Sequence, residues 1–149
     1  MWRVVVLGLM LMAGPAAADD WRVLGANNRG AWAIDFASLA GNGNKVRAWV
    51  LYTLAQTDGN VDYSLTRYEF DCDAESSTSL SSARYNFGGE TVATLGPSYE
   101  WTPIYPSSGG MLMFRAACRN QWDDVGPGLN NAVAQARVSR RALTEQGAD

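Results

Sequence analysis

The sequence has no histidine and only two cysteines in 149 residues. Without histidine, Ser-His-Asp and Cys-His catalytic arrangements cannot be assembled, and the commonest general base and metal ligand are missing. Two cysteines alone make a poor zinc site, which usually draws on four Cys or His ligands, or on three and a water. No catalytic residue, metal or cofactor is therefore expected. Basic charge is also scarce: 12 Lys and Arg stand against 15 Asp and Glu, a net of −3. A nucleic-acid partner normally calls for a basic face, so none is expected. No apolar run reaches the ~20 residues that a membrane-spanning helix needs.

What is present begins with the parts of a secretory signal. Met1-Trp2-Arg3 gives a positive start, Val4 to Met12 a short apolar stretch, and Gly14-Pro15 a break before Ala16-Ala17-Ala18. Cleavage is expected after Ala18, which places the remainder in the periplasm or the medium of a Gram-negative bacterium with no integral membrane segment. No cysteine stands near the cut to carry a lipid anchor. The rest is long enough for one domain with its own core, and not for two. In an oxidising compartment the pair Cys72 and Cys118 is expected to form one disulfide. Closing the loop between them contributes ~4 kcal/mol by chain entropy.

Behind the cut the pattern turns β. Trp21 to Gly25 reads as a strand, Asn27-Asn28-Arg29-Gly30 as a tight turn, and Ala31 to Phe36 as a second strand with Trp32, Ile34 and Phe36 on one face. Ala37-Ser38-Leu39 reads as a short loop. Lys45 to Gln56 is the strongest strand: Val46, Ala48, Val50, Tyr52 and Leu54 share one face, and Trp49 and Leu51 occupy the other. Apolar groups on both faces imply a central strand covered on both sides. After a turn at Asp58-Gly59-Asn60, Tyr63 to Asp73 alternates Tyr68, Phe70 and Cys72 with Arg67, Glu69 and Asp71. Ser79 to Phe87 and Glu90 to Leu95, split by Gly88-Gly89, read as a further hairpin.

Trp101 to Pro106 cannot be a central strand, because its prolines remove ladder donors. Ser107 or Ser108 caps a helix reaching Cys118, with Met111, Phe114 and Cys118 on one face. Cys72 and Cys118 would then meet across the core. Residues 119–149 read as an extension to the domain at 19–118. Asn130 to Gln146 permits helix, with a thin stripe of Leu129, Val133, Ala136 and Leu143 opposed by Arg137, Arg140 and Arg141. That is either a loosely docked amphipathic helix or a frayed tail.

Little chemistry is legible. Glu69, Asp71 and Asp73 alternate along one strand face at about 7 Å per pair, a spacing that suits acid/base work on a sugar but is also an ordinary solvent face. Asp58, Asn60, Asp62 and Glu69 fall at positions 1, 3, 5 and 12 of a calcium loop, yet Tyr63 stands where that loop needs glycine. Gly41-Asn42-Gly43-Asn44-Lys45 lacks the spacing and the helix of a phosphate loop, so a turn is expected. Serines 76, 77, 79, 81 and 82 read as an exposed loop and strand face. Trp21, Trp32, Trp49 and Trp101 lie in or beside β elements, where packing is the default role.

Taken in order, Trp21, Ala33-Ile34-Asp35-Phe36-Ala37-Ser38-Leu39, Val46-Arg47-Ala48-Trp49, Tyr68-Glu69-Phe70-Asp71-Cys72, Trp101-Thr102-Pro103-Ile104-Tyr105-Pro106 and the helix ending at Cys118 resemble the surface-adhesin protein E-like family. The resemblance implies an α+β fold in which an antiparallel sheet of about six strands packs against a C-terminal helix, with the two cysteines bonded. For the family's namesake it implies an outer-membrane lipoprotein that binds host matrix and serum proteins and haem. The present chain has neither a lipid-bearing cysteine nor a histidine to hold haem iron. The expectation is a non-enzymatic exported binding module with a protein partner. Two alternatives stand beside it: an accessory protein that docks its partner through the C-terminal helix, and a hydrolase using Glu69 or Asp71.

Overall fold

The computed structural model describes residues 19–123 and 128–147. The expected export segment, 1–18, lies outside them. The chain folds as a meander: β1 (Trp21–Asn27), β2 (Gly30–Asn42), β3 (Lys45–Asp58), β4 (Val61–Asp71), β5 (Ser76–Tyr85) and β6 (Thr91–Leu95), followed by a short β7 (Thr102–Pro103), α1 (Gly109–Arg119) and α2 (Ala132–Gln146). Every pairing is antiparallel, and β1 to β6 lie in sequence order; β7 joins the sheet on β5. The turn residues explain this simple order. Asn27 Oδ1 accepts from the N–H groups of Arg29 and Gly30, and Gly59 adopts φ 61°, a conformation costly for residues with a Cβ.

Period-two alternation divides the core between the two faces of the sheet. On one face Leu24, Ile34, Ala48, Val50 and Phe70 pack against Met111, Met113, Phe114 and Ala116 of α1. On the other, Trp21, Ala33, Leu51 and Tyr63 pack around Ala136 of α2. β3 is therefore covered on both sides, as its two apolar faces require. Ser108 caps α1 by accepting from Met111 N–H at 3.2 Å. Gly109 lies so close to the Trp32 ring that a Cβ there would collide with it. Cys72 and Cys118 are bonded, with Cα atoms 5.6 Å apart, which ties the end of β4 to the last turn of α1.

Several expectations are corrected. Ala37-Ser38-Leu39 is not a loop between strands. It is a bulge within the single strand β2, where the register with β3 shifts between Asp35 and Ala40. Side chains replace the missing ladder: Ser38 Oγ donates to Asp35 O at 2.7 Å and accepts from Trp49 N–H at 2.9 Å. β4 ends at Asp71, not Asp73, because the Asp71 carboxylate accepts from the N–H groups of Asp73 and Ala74 and turns the chain. The five serines all lie on β5, half-buried between β4 and the outer segments, with none in a loop.

The tail is neither frayed nor loose over 128–147. Leu129 bridges Trp21 through a backbone pair at 2.9 and 3.1 Å, Asn131 caps α2 by accepting from Ala134 N–H, and Gln135, Ala136 and Ser139 are buried. Arg140 does not oppose the apolar stripe. It turns toward the sheet, donates to Leu54 O and Asp62 O, and pairs with the Asp62 carboxylate.

Candidate functional site

Glu69 and Asp71, two of the carboxylates singled out in the sequence, are engaged in structural contacts. Glu69 pairs with Arg47 across β3 and β4, and Asp71 pairs with Lys45 at 2.9 Å. Backbone N–H groups, first that of Ala74, and the Lys45 ammonium hold the Asp71 carboxyl below its ordinary value. Asp73 sits in the exposed turn beyond the strand. Of the calcium-loop residues, Asp58 and Asn60 belong to a hairpin turn, while Asp62 is 7% exposed. Burial pushes the Asp62 carboxyl up, but hydrogen bonds from Thr57 Oγ and Phe87 N–H and the Arg140 guanidinium outweigh it, so its pKa falls. Glu69 lies seven residues further along β4, about 23 Å away. Gly43-Asn44 is the β2–β3 turn. Among the described residues no three potential ligands converge on a metal position. With no histidine and both cysteines bonded, the two commonest haem-iron ligands are missing as well.

The tryptophans separate by burial. Trp21 is in the core, Trp32 and Trp49 are half-buried, and Trp101 is 41% exposed. Trp101 belongs to the connector from Gly96 to Ser108, which also presents Tyr99 at 89% and Tyr105 at 67% exposure. Large aromatics in such positions need a reason, because burial of one contributes on the order of 2 kcal/mol or more.

The connector is irregular but anchored. Ser98 N–H donates to Ser79 O at 2.8 Å, and Thr78 Oγ donates to Ser98 O at 2.6 Å. Thr102 and Pro103 pair with Ser77 and Ser76 of β5, and Ile104 N–H donates to Glu75 O at 2.9 Å. Ser108 Oγ donates to Tyr105 O at 2.6 Å, joining the connector to the cap of α1. The Lys45 ammonium, already held by Asp71, lies 4.0 Å from the centre of the Trp101 ring and fixes one of its faces. Beneath runs a cleft of about 360 Å³, bordered by Tyr68, Ser77, Ser79, Glu100, Tyr105 and Met113. Burial raises the pKa of the Tyr68 phenol.

This surface pairs rigid aromatic groups with hydroxyls on a backbone ordered before any partner arrives. Such arrangements bind well because few rotamers and little backbone freedom are lost on contact. Tyr99 and Tyr105 were not legible as candidate contact residues, although three aromatics in a segment that its prolines keep out of a central strand are a usable signal. The C-terminal helix commits its inner face to its own sheet, so only its outer face, where Val138 is 47% exposed, is free to meet a partner. Among the described residues no helix is long and apolar enough to cross a membrane.

Residues 21–119 match the model of a protein family described as surface-adhesin protein E. The match ends at the last residue of α1, and α2 lies beyond it. No curated protein and no solved structure matches the chain.

Proposed function

The chain belongs to the surface-adhesin protein E family, and from that premise we propose that it is an exported, non-enzymatic binding module that meets a protein partner through Tyr99, Trp101 and Tyr105. The observation that carries this reading is the connector, pinned to β5 by backbone hydrogen bonds while it exposes three aromatic side chains. Residues 19–118 carry the binding domain, and 119–149 add the helix that braces its second face. Cleavage after Ala18 releases the module into the periplasm or the medium, where the oxidised Cys72–Cys118 pair is stable.

The test is a binding survey of the cleaved protein against purified extracellular-matrix proteins and isolated envelope fractions. Saturable binding to at least one of them is expected. The triple variant Tyr99→Ala, Trp101→Ala, Tyr105→Ala should weaken it at least tenfold while still unfolding cooperatively, since central aromatics dominate such contacts. Equal binding by the triple variant refutes the assignment of the surface. Turnover of a substrate, lost on Glu69→Gln or Asp71→Asn, would replace the binding reading with the hydrolase.

A further inference from the structure

Soluble proteins usually blunt the edge strands of a sheet with charge, proline, bulges or a covering element, because a bare edge accepts another strand. β6 has little of this protection. Thr91-Val92-Ala93-Thr94-Leu95 holds no charge and no proline, three of its residues are β-branched, and all five are exposed. Its one irregularity is a register shift opposite Arg84 and Tyr85. Among the described residues nothing pairs with its outer side.

The ladder fixes which groups are free. Cys72 N–H donates to Asn44 O at 2.8 Å, which sets the alternation of backbone groups along β4. Carried across the β4–β5 register and its shift at Arg67 and Tyr68, that alternation turns Ser82 and Arg84 toward β6. Their partners Leu95 and Ala93 are thereby committed to β5. Thr94, between them, aims its N–H and C=O outward. The same side of β5 already takes up extended pieces of the chain, at Ser98 and at β7. The groups flanking β6 are acidic, Glu90 before it and Glu100 after it, both exposed; the exposed Arg84 lies one strand inward.

We propose that β6 is a strand-addition site for an extended segment of a partner protein, with an uncharged β-branched centre and basic residues at its ends. Main-chain bonds to Thr94 supply the recognition common to such additions, and alternate side chains supply the selectivity. The inference is independent of the connector reading, because it uses a different strand and no aromatic group.

The probe is a fluorescent nonapeptide of alternating Thr and Val closed by Lys at each end, titrated by anisotropy against the cleaved protein. Saturable binding is expected. Thr94→Pro should weaken it about tenfold or more, since it removes an outward N–H. The fold should survive that change, because an edge strand tolerates proline where the N–H has no partner. Thr94→Val should bind as the parent does. Should Thr94→Pro unfold, a peptide with proline at alternate positions makes the same test from the other side and should not bind. The connector triple variant should bind the nonapeptide normally, which separates failure here from failure of the proposed function. Absence of saturable binding, or equal binding by Thr94→Pro, overturns the proposal. A concentration-dependent dimer abolished by Thr94→Pro overturns it too, by giving the edge to a second copy. Equal affinity for a Glu-ended peptide refutes the basic ends.

Discussion

The two edges of the sheet are treated in opposite ways. At β1 the register shifts between Val23 and Gly25, Leu129 pairs with Trp21, Leu112 of α1 packs onto Gly25, and α2 lies against the opposite face. At β6 all five residues face solvent, and the next segment is the aromatic connector. Both helices pack on β1, β2 and β3, and Phe70 and Tyr63 of β4 complete the two cores, so the hydrophobic stabilisation is concentrated in β1 to β4. The β5–β6 half contributes surface. The difference separates a scaffold from the proposed contact region within one sheet, and it implies that changes on the two sides have different consequences.

The largest effect should come from cutting the tie that holds α1 to its face. Cys72→Ser should cost about 4 kcal/mol in a urea melt, and Cys118→Ser the same, because each removes one and the same bond. Next is the anchor of α2. Asp62→Ala should cost about 2–3 kcal/mol, because it leaves the Arg140 guanidinium, 18% exposed, without its counter-charge. Amide exchange should show the loss of protection concentrated in α2, and a uniform loss would mean that the helix is no separate brace.

The same carboxylate gives a pH dependence. Asp62 has a lowered pKa in the folded state, so its contribution is complete above the ordinary value of 3.8 and is lost as pH falls through the folded pKa. The difference in thermal midpoint between the parent protein and Asp62→Asn should be flat near neutrality and shrink only below that value. A difference that changes between pH 5 and 8 would contradict this assignment. The smallest effects on stability belong to the contact side. Tyr99→Ala or Tyr105→Ala should move the unfolding free energy by less than about 0.5 kcal/mol while weakening partner binding. A larger loss of stability would show that the connector belongs to the scaffold.

Much of the scaffold was legible in the residues. Val46 to Leu54 announced a strand apolar on both faces, and the structure covers both. Met111, Phe114 and Cys118 announced the face of α1. Less legible was the break in β2, because Ser38 and Asp35 look like turn formers until their side chains are seen replacing the ladder of one strand. Arg140 is a different case: seven residues after Val133, four after Ala136 and three before Leu143, it shares their helical face, and from there its guanidinium reaches Asp62 and Leu54. The exposed aromatics of the connector were barely legible, since exposure is not a property of residue type.

What the sequence determined by itself is local or arithmetical: the turns at Asn28, Asn44 and Gly59, the periods of strand and helix, and an even pair of cysteines. The absence of histidine and of a basic excess likewise follows from composition alone. Only the tertiary structure decided that α2 closes the second face, that the connector runs pinned along β5 with its aromatics outward, and that β1 is covered while β6 is bare. These are outcomes of competition for a limited apolar surface. Two helices cover only part of the sheet, and which part they cover depends on long-range pairings such as Trp21 with Leu129 and Asp62 with Arg140, which no short window of sequence contains.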